Sequence, residues 1–121
     1  MKRALDISGK SGFNYRFYIY RWPCTFEVKQ GAIFLFIKLL YNDFYVPLFL
    51  GITDDLREYC KHSVRAFNIR ESIITHVCIC VEEDEIKRNI AEEDLSIIAE
   101  KLMSEVTTAS KLDGKVHVCT T

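Results

Sequence analysis

Apolar and polar positions along this chain change period several times, and each change predicts an element. Residues 13–20, FNYRFYIY, alternate aromatic and polar side chains, the period of a half-buried strand, and RWPCT breaks the pattern at Pro23. Residues 31–40, GAIFLFIKLL, are almost continuously apolar and predict a buried central strand. YND at 41–43 predicts a turn at Asn42-Asp43, and FYVPLFL at 44–50 predicts the return strand of a β-hairpin. Pro47 has no N–H for a ladder, so it predicts an edge or a bulge. Thr53 is a candidate N-cap, with Asp54 and Asp55 in the positive first turn. Leu56, Tyr59, Cys60, Val64 and Phe67 follow at helical spacing, so 54–66 reads as a helix. IITHVCICV at 73–81 is short, apolar and β-branched, and reads as a strand. EEDE at 82–85 opens a second helix, which Ile86, Ile90, Leu95, Ile98 and Leu102 carry to about residue 103. Residues 1–12 read as a loose polar leader, and 104–121 as a flexible tail or one further edge strand.

The order strand, hairpin, helix, strand, helix predicts an α+β fold: a small mixed sheet with a central β-hairpin, flanked by helices. The 121 residues predict one domain with its core over about 13–103. No apolar run approaches the ~18 residues of a membrane span, so no membrane partner is expected. The basic N-terminus lacks the apolar stretch of a secretion signal. Five cysteines at irregular spacing read as reduced thiols, which points to a cytoplasmic protein. The net charge of −1 hides an asymmetry: residues 1–70 hold 11 Lys+Arg against 6 Asp+Glu, and residues 71–121 hold 5 against 11. A basic half can face a polyanion, although these cations are scattered enough for an ordinary solvated surface.

Five short motifs, in order, resemble the GIY-YIG nuclease superfamily, especially its short stand-alone members: NYRF (14–17), AIF (32–34), PLFLGIT (47–53), THVCICVEEDE (75–85) and EEDL (92–95). The resemblance covers roughly residues 13–100 and implies a GIY-YIG-like fold with Mg²⁺-dependent phosphodiester hydrolysis. It also implies four functional positions. The two motif tyrosines fall on Phe34 and Phe49, the helix arginine on Tyr59, and the metal-binding glutamate on Glu92. Such chemistry needs a hydroxyl to relay a proton, a fixed cation for developing charge and a carboxylate for a hard metal. Three of the four positions have lost the reactive group, and the tail offers no clear match to the family's late asparagine.

The resemblance therefore implies a degenerate member that acts by binding a nucleic acid or a protein, with no cofactor. The alternatives are a weak Mg²⁺-dependent endonuclease, with Glu92 as metal ligand, and a small protein-interaction regulator of phage or defence type. Gly51, Arg57, Lys61, His62 and Arg65 form the candidate binding set, and nucleic-acid binding through it would be weak and salt-sensitive. Plainer readings stand beside these. Gly51 can be a turn glycine, Glu92 can pair with Arg88 four residues earlier on a helix, and His62 can be an ordinary surface histidine. His76, Cys78 and Cys80 alternate toward one strand face, and His117 and Cys119 could join them, but the spacing fits no standard zinc pattern. The aromatic segment 13–22, with Arg16 and Arg21 interleaved, could stack bases or pack a core.

Overall fold

The residue-by-residue burial of Ala32–Leu39 explains the architecture. Ala32, Ile33, Phe34, Leu35, Phe36 and Ile37 are all buried, because this strand lies mid-sheet and both of its faces are covered. The computed structural model describes residues 3–41, 44–66, 73–98, 110–111 and 118–120; for 62–66 and the last two segments it describes the backbone alone. Along the chain run β1 (Arg3–Ser8), β2 (Asn14–Arg21), β3 (Ala32–Leu39), β4 (Phe44–Thr53), α1 (Leu56–Ala66), β5 (His76–Val81), α2 (Glu85–Asp94), β6 (Ser110–Lys111) and β7 (Val118–Thr120).

The described strands join one sheet in the order β6-β4-β3-β5-β2-β1-β7, and their pairings are all antiparallel. The expected small mixed sheet flanked by helices is thus corrected to a curled, sheet-dominated antiparallel fold with two short helices among the described residues. Strand β5 enters between β2 and β3 and pairs antiparallel with both, so among the described residues no parallel pair forms. Curling also follows from reach. Lys111 and Val118 lie on opposite edges of the sheet yet only seven positions apart in the chain. Seven residues span at most about 25 Å, less than the roughly 29 Å of six flat strand spacings.

The segment expected as a leader is instead strand β1, with Ala4, Leu5, Asp6 and Ile7 buried. Its six residues show no alternation that would mark a strand in the sequence, and it is stabilised by pairing with β2 over its whole length. Pro47 pairs in register with Ile37 beside a bulge in the β3–β4 ladder, a position that tolerates a residue without an N–H. The Asn42-Asp43 turn, Phe67, the second helix beyond residue 98 and the rest of the tail lie outside the described residues.

The two helices cover opposite faces. Ile33, Leu35 and Ile37 of β3 pack with Leu5, Phe17, Cys78 and with Ala91, Leu95 and Ile98 at and beyond α2. The alternate residues Ala32, Phe34 and Phe36 pack with Trp22, Val77, Ile79 and with Leu56 and Cys60 of α1. Asp55, rather than Thr53, caps α1 by accepting from the Glu58 N–H at 3.1 Å, while Thr53 Oγ1 accepts from the Asp55 N–H. Asp84 caps α2 by accepting from the Ile86 and Lys87 amides. Among the described residues no helix is long and apolar enough to cross a membrane.

Candidate functional site

The positions implied by the family resemblance separate into two places. The Phe34 and Tyr59 rings lie with centroids 4.3 Å apart, tilted by 35°, and the Phe49 ring lies 6.0 Å from Phe34. These rings share the α1 face: Phe49 is the register partner of Phe36, and Gly51 that of Phe34. Glu92 belongs to α2, which packs on the opposite face. The four residues therefore do not converge. A divalent cation does not fit here either. The clustered positions offer rings instead of carboxylates, and among the described residues no three His, Cys, Asp or Glu side chains gather.

The binding set also reads differently in three dimensions. Gly51 is buried inside strand β4, and its hydrogen gives room to the Phe34 ring, so it is neither a turn nor a phosphate contact. Arg57 and Lys61 are exposed on α1 at a four-residue spacing. The side chains of His62 and Arg65 lie outside the described residues, as do those of Cys119 and the whole of His117. Arg88 does not pair with Glu92. It is buried, and its guanidinium donates to the backbone carbonyls of Glu82 and Glu83 at 3.0 Å each. Gly31 makes this possible, since a Cβ there would collide with the Arg88 side chain. Cys78 packs in the core, and burial pushes its thiol upward.

A concavity lies elsewhere among the described residues, between the β1–β2 turn and α2. It is a groove of about 1080 Å³, floored by Tyr15, Ile33, Cys80 and Ala91 and walled by Phe13, Ile86 and Ile90. Those three wall residues are 62%, 70% and 61% exposed, unusual for large apolar side chains gathered around one site. In the sequence, Ile86 and Ile90 group with Leu95 and Ile98 as the apolar residues that carry the second helix. The structure puts Leu95 and Ile98 in the core and leaves Ile86 and Ile90 facing outward. The usable signal was a second apolar stripe, 86/90/97, beside the buried one, 91/95/98.

Asp94 anchors one end of the groove. Its carboxylate accepts from the Ser11 N–H and Oγ–H, both at 2.7 Å, and from the Tyr15 hydroxyl at 2.9 Å. The Ser11 hydrogen bonds above all hold its carboxyl below the ordinary range. Burial and then the Asp94 hydrogen bond push the Tyr15 phenol up to about 12. Burial, aided by Glu82, pushes the Cys80 thiol up to about 11. These hydrogen bonds pin the β1–β2 turn to α2. No protein-family model, curated protein or solved structure matches this chain.

Proposed function

We propose that this protein acts by binding, through the groove between the β1–β2 turn and α2, and that its partner is a protein. One observation carries the reading: Phe13, Ile86 and Ile90 stand largely exposed around a single apolar groove. Exposing that much apolar surface costs free energy, which contact with an apolar partner recovers. A nucleic-acid partner is disfavoured because Lys10, Arg16 and Lys87 share the rim with Glu82, Glu93 and Asp94, so no cationic field is available for phosphates. Phosphodiester hydrolysis is disfavoured by the clustered Phe34, Phe49 and Tyr59: the two phenylalanines cannot relay a proton, and Tyr59 brings a phenol but no fixed cation.

The test uses a benzophenone side chain placed at position 89, on the groove wall, with position 28 as an exposed control away from it. Irradiation in the expressing cell is expected to give protein adducts from position 89 and none from position 28. Adducts to nucleic acid alone, or none at all, would overturn the reading.

A further inference from the structure

We infer that the outer edge of strand β4, over Phe49–Thr53, takes up an extended peptide segment of another protein as one further strand of the sheet. The ladder fixes which backbone groups point outward. At the two ends of β3, the carbonyls of Gly31 and Ile37 accept from the Glu82 and Thr75 amides on the β5 side. Odd residues of this strand therefore turn to β5 and even ones to β4. Phe34 bonds its register partner Gly51, and Ala32 bonds Thr53. The N–H and C=O groups of Leu50 and Ile52 then point away from β3. Strand β6 pairs with Phe44 and Tyr45 alone, so among the described residues nothing meets them.

The same stretch lacks the devices that keep sheet edges unpaired. Strand β4 has no charged residue, and its proline and its bulge both precede Phe49. Apolar side chains flank the edge on both faces: Leu50 and Ile52 are half-buried on the α2 face, and Phe49 is 39% exposed on the α1 face. The backbone pattern identifies the occupant. Leu50 and Ile52 present two donors and two acceptors in one line at every second residue, and an extended peptide backbone is the chemistry that matches this spacing. Side chains opposite Leu50 and Ile52 fall on the α2 face, so apolar β-branched residues there extend the core. A second copy of the whole chain gains little from this edge. It is about 17 Å long and one strand thick, a small part of the ~800 Å² per partner that a stable dimer buries. Among the described residues none of β4 lines the groove, so the inference stands independently of the binding reading above.

Amide exchange of the full chain, resolved residue by residue by NMR, tests the inference. In the free protein Leu50 and Ile52 are expected to exchange fast, and Gly51 and Thr53 slowly. The probe is a capped peptide of alternating valine and threonine with a lysine at each end. It is expected to slow exchange at Leu50 and Ile52 about tenfold or more. The same peptide N-methylated at its valines and threonines keeps the side chains, loses the donors and is expected to have no effect. Slow exchange at Leu50 and Ile52 in the free protein would mean that this chain or a second copy already covers the edge, and would overturn the inference. No slowing by the first peptide, or equal slowing by both, would overturn it as well.

Discussion

Gly51 lies directly across the β3–β4 ladder from Phe34, so close that a Cβ on it would come within 2.5 Å of the ring's Cζ. The contact lets one flat ring lie between strand β4 and Tyr59. Gly51→Ala is therefore expected to destabilise the fold by about 1–3 kcal/mol through overpacking. Urea unfolding followed by Trp22 emission measures it. Phe34→Leu should shrink the penalty of Gly51→Ala, and an equal penalty in both backgrounds would contradict the ring contact as its cause.

Arg88 supports a different junction. Its buried guanidinium satisfies two carbonyls between the end of β5 and the start of α2. Arg88→Met keeps much of the volume and leaves those acceptors unmet, so a loss of about 2–3 kcal/mol is expected. Glu92→Gln, which removes no contact of Arg88, should change stability by less than about 0.5 kcal/mol. Comparable losses in both variants would mean that the two residues pair after all.

The Tyr15–Asp94 hydrogen bond makes stability depend on pH at both extremes. The Asp94 carboxyl is held below its ordinary 3.8, so its contribution is present above that value and is lost as pH falls through the depressed folded value. The Tyr15 phenol is raised from 10.0 to about 12, so its contribution is complete below 10.0 and is lost as pH rises toward about 12. Ultraviolet titration of the phenolate should show one tyrosine near the upper value. In Asp94→Asn that tyrosine should move down without reaching 10.0, because burial, the larger cause, remains. Thermal melts of the same variant should lose part of the acid-limb dependence.

Restoring the family's reactive groups should not restore nuclease chemistry. Phe34→Tyr, Phe49→Tyr and Tyr59→Arg together would rebuild two hydroxyls and a cation on the α1 face, while Glu92 stays with α2 across the sheet. The wild type and the triple variant are both expected to leave supercoiled plasmid intact with Mg²⁺. Nicking by the triple variant that vanishes on adding Glu92→Ala would show that the carboxylate reaches the aromatic face.

Local patterning was enough to determine the order of the elements from residue 14 to residue 98. The apolar run of β3, the Pro47 irregularity, the acids that open both helices and the β-branched run of β5 each act on their own backbone, so they can be read without knowing what lies beside them. Which face each residue takes was decided only by tertiary structure. Periodicity groups Ile86 and Ile90 with Leu95 and Ile98 on one helix without saying which of them face the core, and the family resemblance groups Glu92 with Phe34 although they lie on opposite faces of the sheet. Strand β1 escaped notice because its six residues gain their stability from a partner strand rather than from their own pattern. The insertion of β5 between β2 and β3 turned a sheet expected to be mixed into an antiparallel one. Strand pairing is a competition among distant segments for the same hydrogen bonds and the same apolar surface, and a sequence window contains only one of the competitors.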